Sequence, residues 1–335
     1  MIEPPYVLYC GDAADPLAVK TARGVARWWP EAAVGQFRAS PDAVGVGLPD
    51  LSMAEAMARG ARTMVVGVAN AGGVLSPRAV RDVLDALAAG LDVAAGLHDR
   101  LALHPAIAAA AAALGRRLWD VREPPAGLPV GTGAPRGGRR LLTVGTDCAV
   151  GKMYATLAIE RALHARGVPA TFRATGQTGI LIAGTGVPID AVVADFVAGA
   201  AEALAPARHD GGWDVIEGQG SLFHPSYAGV SLGLLHGAQP AALVLCHEAG
   251  RSRTRHLSGY ALPSLRACLD RNLEAARLTS AGVVAVGVAL NTSALPPDAA
   301  AAARAAAEDE TGLPCEDPVA TGVERIVDRL LAACP

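Results

Sequence analysis

Ten residues near the middle of the chain combine types that hold phosphate. They are Val144-Gly145-Thr146-Asp147-Cys148-Ala149-Val150-Gly151-Lys152-Met153. The stretch follows an apolar run, Arg139-Arg140-Leu141-Leu142-Thr143, and precedes Tyr154-Ala155-Thr156-Leu157-Ala158-Ile159, which has helical spacing. A strand, a loop and a helix in that order are the context a phosphate-binding loop requires. Glycines at both ends let backbone N–H groups turn onto an anion, and the helix adds its unpaired N-terminal donors and dipole. Lys152 would reach over the loop to phosphate oxygens. The plain alternative is a glycine-rich strand-to-helix turn with an incidental lysine.

Two departures from the common loop matter. Five residues separate Gly145 from Gly151, where the usual spacing is four. Met153 stands where a Ser or Thr normally holds Mg²⁺, and a thioether is a poor ligand for a hard cation. Splitting a magnesium nucleotide therefore lacks one of its parts here, and no bound metal is expected.

A second signal lies downstream, in Trp213-Asp214-Val215-Ile216-Glu217-Gly218-Gln219-Gly220-Ser221, followed by Leu222-Phe223-His224-Pro225. An apolar strand ending in an acid and glycines takes the place of the acidic strand that approaches the metal in phosphate-loop proteins. Without a magnesium ligand at position 153, Glu217 is free to act as a general base, and His224 is the other candidate. Lys152 completes the catalytic set. A further polar loop, Ala174-Thr175-Gly176-Gln177-Thr178-Gly179-Ile180, follows a strand at Ala170–Arg173. With Gln219 and Ser221, residues Arg173, Thr175, Gln177 and Thr178 suggest a ligand enclosure. Three arginines, Arg251, Arg253 and Arg255, alternate with small polar residues between His247 and His256, after the buried strand Ala241–Cys246. Arg251 and Arg255 could clamp carboxylates, since Arg forks match them bidentately. A solvated basic loop is the bland reading.

Only two of the 29 basic residues are lysines, Lys20 and Lys152. Arg-biased codon usage explains the scarcity. The lysines that remain are candidates for positions needing a compact ammonium, which makes Lys20 a substrate-binding candidate as well.

The elements that position these groups are those of an α/β protein with two domains. The 335 residues suffice for two cores, and with 51% apolar but 4% aromatic residues the interior must be Ala, Val, Leu and Gly. Tyr6–Cys10, Ala32–Val34, Met64–Val68 and Leu91–Gly96 read as strands alternating with helices, one carrying Leu17, Lys20 and Trp28 and another opening at Pro77. The turn Asn70-Ala71-Gly72-Gly73 closes one of these strands, yet no G-x-G-x-x-G follows any of them. The first domain, 1–123, is thus Rossmann-like in layout without a dinucleotide signature. The Pro- and Gly-rich segment 124–138 is a linker, and 139–335 is a phosphate-loop domain of the NTPase type. In it Asp190 and Asp195 open a helix reaching Leu204, and Val283–Leu290 is a further strand.

A net charge of −3 gives no sign of a nucleic-acid or membrane-surface partner. The Ala-rich run His104–Leu114 is too short to span a bilayer. The opening Met1-Ile2-Glu3-Pro4-Pro5 has no basic-then-apolar pattern, and six scattered cysteines without a C-x-x-C pair read as reduced thiols. A cytoplasmic protein is expected, with homo-oligomerisation left open. Cys148 alone lies where helix-end electrostatics favour a thiolate.

The loop's Gly-Thr-Asp ahead of Val-Gly-Lys resembles that of dethiobiotin synthetase. More specifically, GTDCAVGKM, TGQTGILIAG followed by DAVVADFVAGAAE, VIEGQGSLFHP, the DAADPLAVKTARG opening and CHEAGR resemble one family over nearly the whole chain. That family pairs an N-terminal Rossmann-like domain with a C-terminal phosphate-loop domain, was long catalogued as of unknown function, and includes D-glutamate N-acetyltransferases of the DgcN type. The resemblance implies acetyl transfer from acetyl-CoA to the amine of D-glutamate.

The residues are compatible with that chemistry. The pyrophosphate and 3′-phosphate of coenzyme A can be held without being split, so Met153 is tolerable. The acceptor ammonium must lose a proton, to Glu217 or His224. Backbone at Gly218–Ser221 or Gly176–Gly179 could supply oxyanion donors. Arg251, Arg255, Arg173 and Lys20 are the cations for substrate carboxylates. Direct transfer is the default route, and an acetyl intermediate on Cys148 is the other. The rivals are a Mg-ATP-dependent ligase of the dethiobiotin synthetase type and a nucleotide- or CoA-sensing module.

Overall fold

The computed structural model describes residues 2–16, 18–68, 73–255 and 257–334. The expected Asn70-Ala71-Gly72 turn, Leu17 of the first helix and His256 of the arginine loop lie outside these residues. The chain forms two compact units, one of Met1–Glu123 with Gln177–Pro188, the other of Pro124–Gly176 with Ile189–Pro335.

The first unit holds five parallel strands in the order β2-β1-β3-β4-β5: β1 Tyr6–Gly11, β2 Ala33–Arg38, β3 Thr63–Val66, β4 Asp92–Ala95 and β5 Leu118–Asp120. β1, β3 and β4 are buried along their whole length, which is why apolar residues dominate them. Val7, Met64, Val83, Leu87, Leu91, Val93 and Ile107 belong to one core cluster. The helices between strands have sequence-encoded starts. α2 (Met53–Ala58) opens with a Ser52–Glu55 capping box, and α3 (Pro77–Ala88) with the Ser76 hydroxyl on the Ala79 N–H and Pro77 in its first turn. α1 is Lys20–Trp28 and α4 is Pro105–Leu114.

The second unit holds six parallel strands in the order β11-β10-β9-β6-β8-β7. β6 (Arg139–Gly145) runs into α5 (Lys152–Ala165), and β7 is Ala170–Arg173. β8 (Trp213–Ile216) and β9 (Ala242–Glu248) flank β6, and β10 (Val284–Asn291) and β11 (Cys315–Glu316) complete one edge. The layered α/β architecture read from the sequence is present in both units. Residues 124–138 have no helix or strand but are tightly held. The N–H groups of Thr132 and Gly133 donate to the Glu202 carboxylate at 3.0 and 2.8 Å, and Arg136 reaches the Gly237 carbonyl at 2.7 Å.

Three sequence expectations need correction. Residues 177–183 are not loop but a helix, α6 (Gln177–Ala183). Residues 177–188 also join the first unit rather than the second. Its Tyr6 hydroxyl lies 3.4 Å from the Leu181 carbonyl, and the Thr178 hydroxyl 3.4 Å from that of Thr21. Third, the stretch from Asp190 is two short 3-10 turns, Ile189–Ala191 and Ala194–Phe196, before α7 (Val197–Leu204) begins. Asp190 and Asp195 compete locally for backbone groups and favour such turns over helix interior.

One buried ion pair fixes the β7–β8 edge. The fully buried Asp214 accepts from Arg173 Nε at 2.8 Å and Arg208 Nη1 at 3.0 Å. Removing it leaves the Arg173 guanidinium without a carboxylate, while Arg208 keeps Asp210; breaking a buried pair costs about 3–5 kcal/mol. Asp214→Ala should lose about that much in urea denaturation. A loss below about 1 kcal/mol would show that Arg173 relaxes into solvent.

Candidate active site

The site in the second unit is built where the loops after β6 and β8 meet. Gly151, at φ 102°, turns the loop into α5 in a conformation that side-chain-bearing residues rarely adopt. Lys152 opens the helix, is buried, and donates its ammonium protons to the carbonyl oxygens of Asp147 at 2.8 Å and Gly220 at 2.9 Å. Burial lowers its pKa, opposed by the nearby Cys148, Cys246 and Asp147. The lysine therefore straps the phosphate loop to the loop after β8. Packing between the two is close: a Cβ on Gly218 would lie 1.7 Å from the Thr143 carbonyl oxygen, so only glycine fits. The Gly218 N–H donates to the Thr143 hydroxyl at 2.9 Å.

Glu217, at the end of β8, is 5% exposed. One carboxylate oxygen accepts the N–H groups of Thr175 and Gly176, both at 3.0 Å. The Thr175 hydroxyl donates to the Glu217 carbonyl at 2.6 Å, and the Gln219 amide donates to that hydroxyl at 3.2 Å. Burial dominates, pushing the carboxyl up to about 7 against those two N–H groups and the Lys152 charge; Asp190 pushes the same way as burial. A carboxyl with that pKa exchanges a proton near neutrality, which is what a general base must do.

Asp147 is fully buried and is an organiser of the loop. Its carboxylate accepts the Cys148 N–H at 2.7 Å, the Arg255 N–H at 2.7 Å and Arg251 Nη1 at 3.1 Å. Arg251 also donates to the Cys148 carbonyl at 2.8 Å and pairs with Glu248. The Ser221 hydroxyl donates to the Thr146 carbonyl at 3.1 Å, and the Thr146 hydroxyl lies 2.8 Å from His247 Nδ1. His224, 4% exposed, accepts the Ser226 N–H on Nδ1 at 3.1 Å and packs against Tyr227 with ring centroids 4.5 Å apart.

The structure thus brings Lys152, Glu217, Thr175, Gln219, Ser221 and the loop Gly145–Met153 together, with His224 at its rim. It reassigns two arginines. Arg251 is spent on Asp147, Glu248 and loop carbonyls, and Arg173 on Asp214, so each neutralises a carboxylate of its own chain instead of waiting for a substrate. Arg255 differs: its backbone is anchored on Asp147, while its guanidinium makes no hydrogen bond or ion pair among the described residues. Gln177, Thr178 and Lys20 belong to the first unit, on α6 and at the start of α1. His247 is a site residue that residue type alone did not single out. Its signal was position, directly after the apolar core of the strand beside β6.

Asp147, Cys148 and His224 offer a carboxylate oxygen, a thiol sulfur and a ring nitrogen within 4.8 Å of one another. Such a donor set suits a soft cation, but the Arg251 guanidinium sits directly on Asp147, and its positive charge opposes a cation there. Among the described residues no helix is long and apolar enough to cross a membrane.

Two family domain models match the chain. Residues 129–327 match the P-loop domain, and residues 36–124 the Rossmann-like domain, of the family described as DUF1611, a domain of unknown function. A D-glutamate N-acetyltransferase of Tritonibacter scottomollicae is 49% identical over 332 residues, 99% of this chain and 100% of that one. A D-glutamate N-acetyltransferase of a Pseudoalteromonas species is 44% identical over 329 residues, 98% and 99% of the two chains. The crystal structure of a DUF1611 family protein from Anabaena variabilis, at 2.30 Å resolution, superposes with a TM-score of 0.88 at 34% identity, covering 98% of this chain and 100% of that one.

The raised Glu217 pKa has a consequence for stability. The folded state holds the proton up to about 7 while the unfolded chain releases it near 4.5. The stabilisation is therefore full below the unfolded pKa and is lost as pH rises through the folded one, about 3 kcal/mol in all. Denaturation of the protein and of Glu217→Gln should show the wild type losing ground to the variant as pH rises between those values. A difference independent of pH would mean that Glu217 titrates normally.

Proposed function

The chain belongs to the DUF1611 family, with its paired Rossmann-like and P-loop domains, and on that premise we propose that it is a D-glutamate N-acetyltransferase that draws acetyl from acetyl-CoA. The names of its two relatives support the reaction. The observation that carries the reading is Glu217, a buried carboxyl pushed up to about 7, beside a phosphate loop whose lysine is followed by Met153. Nucleotide splitting needs a metal ligand at that position; amine acylation needs a base near neutrality.

On this reading the loop Gly145–Met153 and the first turn of α5 hold coenzyme A phosphates, with Lys152 turning its ammonium from carbonyl oxygens to the incoming anion. Glu217 takes the proton of the acceptor ammonium, and the amine attacks the acetyl carbonyl. Thr175, Gly176 and Gln219 fix the carboxylate for that transfer. The Gly218 N–H is held by the Thr143 hydroxyl, so the N–H groups of Gln219–Ser221 are the backbone donors for the developing oxyanion. Arg255 meets a substrate carboxylate on this reading. Six cysteines are free thiols, in keeping with a reducing, cytoplasmic setting.

The test is release of free thiol from acetyl-CoA with D-glutamate, L-glutamate or no acceptor, in the absence of ATP and Mg²⁺. Release that depends on D-glutamate is expected. Its kcat/KM should rise with pH through a limb near the Glu217 value of about 7 and level off above it, because only the carboxylate accepts the proton. Glu217→Gln should lower the rate by about 10²- to 10⁴-fold and remove that limb. No thiol release, with ADP formed when Mg-ATP and a carboxylate are supplied, would assign the chain to the ligases instead.

A further inference from the structure

We propose that the adenine of coenzyme A binds in a cavity of about 440 Å³ at the C-terminal ends of β9 and β10, across β6 from Glu217; this rests on the acetyltransferase reading above. His247 of β9, Leu290 of β10, the loop after β9 and the helices Leu265–Ala276 and Pro297–Thr311 line it. All of these belong to the second unit. Two of the lining residues also hold the phosphate loop. His247 Nδ1 lies 2.8 Å from the Thr146 hydroxyl, and Arg251 donates to the Cys148 carbonyl at 2.8 Å and the Asp147 carboxylate at 3.1 Å. The cavity therefore shares a wall with the loop.

Strand order decides which end of coenzyme A goes there. The sheet runs β10-β9-β6-β8, so the loop after β6 stands between Glu217 at the end of β8 and the cavity at β9 and β10. Coenzyme A is laid out the same way: its pyrophosphate joins an arm carrying the thioester to an adenosine. With the pyrophosphate on the loop, the thioester must lie toward Glu217, which deprotonates the attacking amine. The adenosine then extends the other way, toward β9.

The lining suits a neutral flat ring and not the acceptor. Leu265, Leu290, Ala303 and Ala307 offer apolar surface for a ring to cover. The charged residues of the lining are Arg251, already paired with Asp147 and Glu248, and Glu310. Burial, and then the Arg251 charge, lowers the His247 pKa, so that ring is neutral at neutral pH. The two carboxylates of D-glutamate would meet no uncommitted cation among these residues, and Glu310 would repel them. Adenine carries no charge at neutral pH and presents an exocyclic amine. One Glu310 oxygen accepts the Arg266 N–H at 2.9 Å, and its other oxygen is an acceptor for that amine.

The experiment compares acetyl-CoA with acetyl-phosphopantetheine, a donor that lacks the adenosine, in the thiol-release assay with saturating D-glutamate. The wild type should show a KM at least about tenfold higher for the shorter donor. Ala303→Trp puts an indole into the cavity from the side of its helix. It should raise the KM for acetyl-CoA at least about tenfold with kcat nearly unchanged, the pattern of lost uniform binding. Its kcat/KM for the shorter donor should stay within about twofold of wild type, because that donor does not reach the cavity. Adenosine 3′,5′-bisphosphate should compete with acetyl-CoA in the wild type and compete at least about tenfold more weakly in the variant. Ala306→Trp, at an exposed position of the same wall, serves if Ala303→Trp fails to fold. An acetyl-CoA KM within about twofold of wild type in a folded variant would overturn the proposal. So would equal losses with both donors, which would place the damage at the phosphate loop. Either result leaves the transferase reading intact. A wild type that transfers acetyl to D-glutamate from neither donor would overturn both.

Discussion

Everything in the candidate site depends on one buried ammonium. Lys152 has left water, and an isolated charge there would be too costly to hold. Carbonyl oxygens from two different loops, those of Asp147 and Gly220, replace its hydration. That requirement draws the loop after β8 onto the loop after β6. It sets Gly218 against the Thr143 carbonyl, where no side chain fits, and carries Glu217 into the interior beside the same lysine. Burial pushes the carboxyl toward its neutral form, a shift the Lys152 charge opposes, and burial also lowers the pKa of the amine. On the proposed function, a phosphate entering there would replace neutral carbonyl partners of Lys152 with a full negative charge, linking binding to the proton affinity of Glu217.

The arginines illustrate how burial decides a residue's role. Arg173 and Arg251 have the chemistry of anion clamps, and both do clamp carboxylates, but those of Asp214 and Asp147 within the same unit. On the proposed function, the Arg251 guanidinium would act on the phosphate site through Asp147, by neutralising a carboxylate that would otherwise repel the ligand. Arg255 is anchored on the same Asp147 carboxylate through its backbone N–H.

Much of this was legible in the sequence because it rests on local order. A strand, a glycine-bounded loop with lysine and a helix are contiguous in the chain, and so are the apolar strand, Glu217 and its glycines. The two-domain α/β layout followed from alternating apolar runs and turn residues, and the family match to both domains agrees with it. What stayed hidden depends on partners far apart in sequence. Asp214 lies 41 residues from Arg173, and Arg251 lies 104 from Asp147, so residue type suggested substrate binding where tertiary structure makes an ion pair. The threonines and glycines of 175–180 favour a loop by propensity, yet α6 forms there because its apolar residues Ile180 and Leu181 are buried in the first unit. Nor could spacing reveal that the amides of Thr175 and Gly176 meet the Glu217 carboxylate.

The central claim is that this phosphate loop cradles coenzyme A rather than a magnesium nucleotide. Calorimetric titration of the full-length protein with CoA and, separately, with Mg-ATP tests it most directly, with Lys152→Ala as the comparison. Saturable CoA binding, weakened at least about tenfold by the loss of the charged hydrogen-bond donor, is the predicted result. Tight Mg-ATP binding together with CoA binding that ignores Lys152 would contradict the account.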